Sequence, residues 1–226
     1  MHATSYQNNI YPFQNELLAL VQGANVNFYL TGGTALSRFY LNHRYSDDLD
    51  FFVNQNSKFK IQCNKIVDLI KKTGFSCDIG TISEAFLRLF VTKDNIQIKV
   101  DFVNDVPFHY GGFEKFDLFN RVDNWRNILS NKICALSRLE PKDIVDILFI
   151  AKSYPFNWGD IISEAKEKDL WVEPIAISKI IKEINPDFIK NIKWIKPPDS
   201  NKIPNQLEGL HEDIFYGNMN SLSETH

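Results

Sequence analysis

Asp48 and Asp50 are the residues of this sequence best placed to do chemistry, and a glycine turn, Gly32-Gly33-Thr34, precedes them. Around the pair the chain reads Arg44-Tyr45-Ser46-Asp47-Asp48-Leu49-Asp50-Phe51-Phe52. Side chains alternate along a strand, so a strand over 49–53 projects Asp48 and Asp50 from one face and sends Leu49 and Phe51 into the core. Paired aspartates offer the oxygen ligands that a hard cation such as magnesium takes, and they leave positions for phosphate and water. Two glycines let backbone approach phosphate oxygens closely and accept dihedral angles closed to other residues. A helix after the turn presents free N–H groups and the positive end of its dipole, and Thr34 adds a hydroxyl. Arg44 and Ser46 have two readings: they touch phosphate, or Arg44 pairs with Asp47 and holds the loop. The combination points to nucleotide chemistry.

Two aspartates are too few ligands for two ions, so a third carboxylate is needed on the same sheet. The segment Asn95-Ile96-Gln97-Ile98-Lys99-Val100-Asp101-Phe102-Val103 alternates polar and apolar residues, so Gln97, Lys99 and Asp101 face one way. A strand there, placed beside the Asp48/Asp50 strand, completes a three-carboxylate cluster. Such a cluster suits two ions about 3.5–4 Å apart, bridging the attacking and leaving oxygens of an in-line displacement.

The elements that must position these residues follow from periodicity and breakers. Strands are predicted over 26–31, 49–53, 75–82, 85–92 and 96–103, rich in β-branched and aromatic residues. Helices are predicted over 13–22, 35–41 and 58–73, the last stopped by Gly74. From residue 124 the pattern turns helical: 124–139, 141–152, 157–168, 174–184 and a last segment near 206–215. The tail from Asn218 reads as polar and loose. The expected fold is α+β, a mixed sheet with helices plus a C-terminal helical part. Residues 1–115 form the catalytic domain, and 116–226 form a mainly helical domain closing a cleft over it.

These residues carry a resemblance. Gly-Gly-Thr, Asp48-Leu49-Asp50 and the later Asp101 look like the pattern of the DNA polymerase β nucleotidyltransferase superfamily. The string from Gly32-Gly33-Thr34-Ala35-Leu36 through His43-Arg44-x-Ser46-x-Asp48-Leu49-Asp50-Phe51 is similar to the AbiEii-like nucleotidyltransferase toxin family. So is a later motif, Lys132-Ile133-Cys134-Ala135-Leu136-Ser137-Arg138 followed by Lys142-Asp143-Ile144-Val145-Asp146. The resemblance covers residues 25–151 and rests on three ordered motifs. It implies transfer of a nucleoside monophosphate from an NTP to a tRNA end or another macromolecule, with magnesium or manganese held by Asp48, Asp50 and Asp101. Gly32, Gly33, Thr34, Arg44 and Ser46 would bind the nucleotide, and Lys132 would be counter-charge for the departing pyrophosphate. Arg138 is expected to point away from Lys132 by the helical period. Asp143 sits where it favours a helix N-terminus, and Asp146 is left open. The family also implies a toxin with an antitoxin partner. Two alternatives stand beside it: a non-catalytic nucleotide- or partner-binding protein of the same fold, and a nucleotidyltransferase acting on small antibiotics.

Composition sets the remaining bounds. The chain has 226 residues, 44% of them hydrophobic, enough for a sizeable core in one domain or two small ones. No Gly-x-x-x-x-Gly-Lys or Gly-x-Gly-x-x-Gly string occurs, which removes support from other phosphate-binding folds. The Asp47–Asp50 loop lacks the glycine and distal Glu of an EF-hand. The net charge of -3 argues against an extended basic surface. A late stretch, Lys179, Lys182, Lys190, Lys193, Lys196 and Lys202 with Phe188 and Trp194 between them, has two readings: a local RNA patch whose aromatics stack bases, or a solvated helical face around a core tryptophan. Cys63, Cys77 and Cys134 form no ligand spacing and read as reduced thiols. No apolar run is long enough to span a bilayer, and the expected location is cytoplasmic.

Overall fold

In the computed structural model, which describes residues 2–223, the chain divides into two compact units. One is Met1–Ala35 with Tyr45–Asn124; the other is Leu36–Arg44 with Trp125–His226.

The first unit holds a five-stranded sheet: β1 (Tyr29–Thr31), β2 (Leu49–Asn54), β3 (Ser76–Ile82), β4 (Phe86–Lys93) and β5 (Ile96–Asp105). Its spatial order is β1-β2-β5-β4-β3, with β2 and β5 parallel and every other pair antiparallel. Parallel neighbours need a long crossover, here α4 (Phe59–Lys72) followed by β3 and β4. Apolar residues at Phe59, Cys63, Ile66, Val67 and Ile70 give α4 one buried stripe. Gly74, at φ +83, ends it in the left-handed region that glycine enters without strain.

One face of the sheet is core. Leu49, Phe51 and Val53 of β2, Leu87, Leu89 and Val91 of β4, and Ile98, Val100 and Phe102 of β5 are all buried. Phe28 bridges Phe59 of α4 and Phe102 of β5 at centroid distances of 6.0 and 4.9 Å, and Phe51 stacks on Phe102 at 5.3 Å. Full burial of each such ring stabilises by about 1.5–3 kcal/mol. The alternation in β2, β4 and β5 buries one face and puts Asp50, Arg88, Lys99 and Asp101 on the other. Helix α2 (Tyr11–Gly23) adds Phe13, Leu17, Leu18 and Val21 to the core. It is preceded by α1 (His2–Ser5) and a π-type turn, Tyr6–Ile10. The segment after β5 returns to β1: Leu30 donates to Arg121 O, and Asp123 donates to Leu30 O.

The second unit is built on α5 (Trp125–Ala135), α6 (Pro141–Ser153), α7 (Trp158–Lys168), α8 (Pro174–Glu183) and α9 (Ile203–Tyr216). Pro141 and Pro174 sit in the first turns of α6 and α8, where a missing N–H costs nothing. Asn157 caps α7 by accepting from Asp160 N. Ile133, Leu136, Ile147, Ile150, Trp158 and Ile161 are among its fully buried side chains. Trp194 packs on Phe149 with centroids 5.8 Å apart, and Phe188 is buried. The segment from Asn218 is tied down, contrary to the loose tail expected from its polarity. Asn220 Nδ2 donates to Ala151 O and Tyr154 O at 2.6 and 2.8 Å, and Ser221 N to Asp213 at 2.7 Å. Residues 224–226 of that expected tail lie outside the described residues. Among the described residues no helix is long and apolar enough to cross a membrane.

Candidate active site

Register alone sets a row of polar residues across the open face of the sheet. Thr31 of β1 stands opposite Asp50 of β2, Asp50 opposite Asp101 of β5, and Asp101 opposite Arg88 of β4. Asp48 and Lys99 lie two residues before Asp50 and Asp101 on the same faces. The three carboxylates therefore share one side of the sheet, with two cations among them. Arg88 forks Asp101, Nε to one oxygen at 2.8 Å and Nη2 to the other at 2.7 Å. Lys99 Nζ lies 2.7 Å from Asp48 Oδ2. The hydrogen bond to Asp101 raises the Arg88 pKa, aided by the charges of Asp48 and Asp50. For Lys99, burial is the largest single influence and opposes its charge, yet Asp48, Asp101 and Asp50 together outweigh it and raise its pKa. Both side chains stay cationic through the neutral range.

The glycine turn meets this row. Helix α3 (Gly32–Ala35) starts at Gly32, whose φ is +70, and a Cβ there would stand 2.5 Å from Asp50 Oδ2. Any side chain at this position would strain the backbone and collide with the carboxylate. Gly32 thus brings free backbone and Asp50 together, the juxtaposition a phosphate–metal site needs. Gly33 and Thr34 are buried behind it. Thr34 Oγ1 donates to the Asp48 carbonyl and stands 2.8 Å from Ser46 Oγ. Gln14 Nε2 donates to the Ser46 and Asp47 carbonyls at 3.0 and 3.1 Å. Tyr6, stacked on Tyr45 at 4.2 Å, donates its hydroxyl to Asp47. In the structure, then, Thr34 and Ser46 fasten the loop that carries Asp48.

Among the described residues no three His, Cys, Asp or Glu side chains converge as ready-made ion ligands. Asp101 is turned to Arg88 and Asp48 to Lys99. The donor chemistry still fits a divalent cation: three carboxylates on one face, and a local charge that already draws two cations to them. Sequence reasoning placed Lys99 on this face and missed Arg88, which shows no polar alternation beyond its own position in Phe86-Leu87-Arg88-Leu89-Phe90. It also missed a second polar group beside Asp50. Thr31 Oγ1 donates to Asp123 at 2.6 Å, and His109 Nε2 lies 3.0 Å from the other oxygen of that fully buried carboxylate.

The helical unit carries its own cluster. Asp146 on α6 is fully buried and receives Arg44 Nε and Nη2 at 2.7 Å each, His43 Nε2 at 2.9 Å and Lys132 Nζ at 2.8 Å. Lys132 also reaches Asp143 at 2.6 Å, and Arg138 binds the second Asp143 oxygen at 2.9 Å. Burial opposes the Asp146 charge most strongly, but Arg44, Lys132 and the His43 hydrogen bond hold its carboxyl well below the usual carboxylate range. For Lys132, burial again leads and opposes charge, and Asp146 and Asp143 overcome it to raise the pKa. Burial lowers the His43 pKa, so the ring is neutral and donates from Nε2. Two carboxylates and the cations Lys132 and Arg44 balance one another, which is what makes such burial tolerable.

The arrangement corrects one expectation and adds to another. Arg44 pairs with Asp146 within the helical unit, a partner that its neighbourhood in sequence did not suggest. Arg138 converges with Lys132 on Asp143 instead of pointing away. Helix α5 ends at Ala135, and the 3₁₀ turn Leu136–Arg138 breaks the α period on which that expectation rested. Asp143 lies in the first turn of α6, where negative charge is favoured, and also neutralises Lys132.

The family model described as nucleotidyl transferase AbiEii toxin, type IV TA system, matches residues 17–170. A crystal structure of a candidate nucleotidyltransferase from H. pylori superposes with a TM-score of 0.61 at 19% identity, covering 92% of this chain and 96% of its own. The crystal structure of JHP933 from Helicobacter pylori gives a TM-score of 0.60 at 20% identity, covering 92% of this chain and 93% of its own. At such identities the likeness is one of fold. No curated protein matches the chain.

Proposed function

The chain belongs to the AbiEii nucleotidyl transferase toxin family, and from that premise we propose that it moves a nucleoside monophosphate from an NTP to a cellular macromolecule, with Asp48, Asp50 and Asp101 as the catalytic carboxylates. The observation that carries the reading is the parallel register of Asp50 and Asp101, with the Asp50 carboxylate seated against Gly32. A divalent cation, magnesium or manganese, would supply Lewis-acid polarisation of the reacting phosphate when held by these carboxylates. The chain's own contribution is positioning and charge. Gly32 and Gly33 present backbone to the phosphates. Thr34, Ser46, Gln14 and Tyr6 hold the Asp48 loop still. Asp101, in register with Asp50, is the proposed carboxylate that completes the metal site and helps to deprotonate the acceptor hydroxyl.

A tRNA end is the proposed acceptor, and the family description implies an antitoxin that restrains the activity. Lys132 is neutralised by Asp143 and Asp146 within the helical unit's own cluster. The test is incubation with each labelled NTP, total tRNA and magnesium or manganese, with a small aminoglycoside as a parallel acceptor. Label in tRNA that vanishes in Asp50→Asn supports the reading. Label in the antibiotic alone would move the acceptor class, and no NTP consumption in any arm would overturn the enzyme reading.

A further inference from the structure

Resting on the nucleotidyltransferase reading, we propose that Arg88 and Lys99 are exchangeable counter-ions of the carboxylate face: they neutralise Asp101 and Asp48 in the ion-free protein, and turn to the triphosphate of the nucleotide once those carboxylates hold a divalent cation. Three observations carry this. First, the two cations sit inside the carboxylate row, Arg88 in register with Asp101 and Lys99 two residues before it. Second, each spends its charge on a carboxylate that the reaction needs, at 2.7–2.8 Å. Third, neither is locked: the Arg88 and Lys99 side chains are 35% and 28% exposed, against 9% for Asp101. The Lys99–Asp48 pair, open to water on both sides, breaks cheaply, and the Arg88 fork onto the buried Asp101 is held more firmly.

Giving the carboxylates over to a divalent cation leaves Arg88 and Lys99 without partners, on a surface where an anion can reach them. A triphosphate is an anion of the required size and charge. Arg88 offers a planar fork suited to two phosphate oxygens, and Lys99 offers a point charge. Thr34 cannot do this work in the same fold, since its hydroxyl is buried and donated to the Asp48 carbonyl. The same two side chains would thus discourage ion binding without nucleotide and favour it with nucleotide, coupling the two ligands.

The experiment uses the full chain and reads binding, not turnover. Free manganese(II) is followed by electron paramagnetic resonance for the wild type, Arg88→Met, Lys99→Met and Arg88→Lys, without nucleotide. Binding of an α,β-methylene triphosphate and of the matching monophosphate is then measured with manganese present. Removing either cation should tighten manganese binding about two- to fivefold, as expected for a lost competitor in an exposed pair. It should weaken the triphosphate analogue about tenfold or more, and leave the monophosphate little changed. Arg88→Lys keeps the charge and loses the fork, so it should fall between the two. Lys99→Met leaves only the partly exposed Asp48 unpaired and keeps the test open if Arg88→Met unfolds. Unchanged manganese affinity, or unchanged triphosphate affinity, in both methionine variants overturns the exchange while leaving the enzyme reading intact. A wild type that binds neither manganese nor the analogue overturns both.

Discussion

Replacing Asp146 by Asn removes one charge from the centre of the helical unit and changes almost no volume. In the native fold its two oxygens receive Arg44, Lys132 and His43 at 2.7–2.9 Å, and its side chain is 0% exposed. The variant keeps one acceptor oxygen but turns an amide NH2 toward groups that are themselves donors. Lys132, 9% exposed, keeps its pair with Asp143, whereas Arg44, 5% exposed, loses the charged acceptor of its Nε and Nη2. Exposed pairs are worth about 0–1 kcal/mol because water and salt take over the lost partner; here neither can reach. Breaking a buried pair on one side costs about 3–5 kcal/mol, which for a chain of this size lowers the melting temperature by about 6–20 °C. Calorimetry of wild type and Asp146→Asn would measure it, since a chain of two units need not melt in one step. Lys132→Met should then cost less in the Asp146→Asn background than alone, with a coupling of about 1–3 kcal/mol. An Asp146→Asn protein within about 1 kcal/mol of wild type would refute the premise that this cluster is closed to solvent.

The other expectations are more local. Gly32→Ala forces a Cβ to within 2.5 Å of Asp50 Oδ2 at a φ of +70. It should destabilise by about 1–3 kcal/mol and reduce transfer more than tenfold, checked by melting and label transfer together. Asp48→Asn and Asp50→Asn lie on the open sheet face, so circular dichroism should stay native while transfer is lost; growth inhibition on expression should go with it, and equal toxicity of wild type and Asp48→Asn would separate harm from catalysis. Arg138, 61% exposed, should cost under about 1 kcal/mol as Ala, whereas Lys132→Ala should cost about 3 kcal/mol in urea unfolding. Burial lowers the His43 pKa from its ordinary 6.5, so below that pH the unfolded chain takes up a proton that the folded ring resists, and stability falls as pH drops. Lys132, raised above its ordinary 10.5, contributes fully below that value and loses its contribution as pH rises through the folded pKa. Urea midpoints should therefore be level between about pH 7.5 and 9 and lower near pH 5; equal midpoints at all three would exclude His43 as a buried neutral group.

Local chemistry was legible where local pattern decides structure. Alternation in Ile96–Asp105 and Leu49–Asn54 sorted carboxylates from core, and the observed strands differ from the expected ones by one to three residues at their ends. Helices α6, α7 and α8 begin within a residue of where proline and capping signals put them. What pattern could not supply is pairing across the chain. Arg44 and Asp146 are 102 residues apart, and nothing near either one encodes the other. The same holds for Thr31 and Asp123, 92 apart, and for the assignment of Leu36–Arg44 to the helical unit. Helical structure over residues 2–10 was missed because its polar residues, Gln7, Asn8 and Asn9, show no apolar period. Its value lies in Tyr6, whose contact with Asp47 is again long-range.

The chain leaves the sheet unit after Ala35, returns at Tyr45 and leaves again after Asn124. On the ribosome this order has a temporal meaning. Arg44 is made early, and the carboxylate that neutralises it follows 102 residues later. At about 5–20 residues per second, the guanidinium waits about 5–20 s for its partner. Throughout that interval Leu36–Arg44 has no finished unit to join, so it must stay out while the flanking sheet is being completed around Thr34 and Ser46. A nascent chain stalled before Asp146 should hold this excursion open to protease between Leu36 and Arg44, and synthesis of the 81 residues from Asp146 onward should close it.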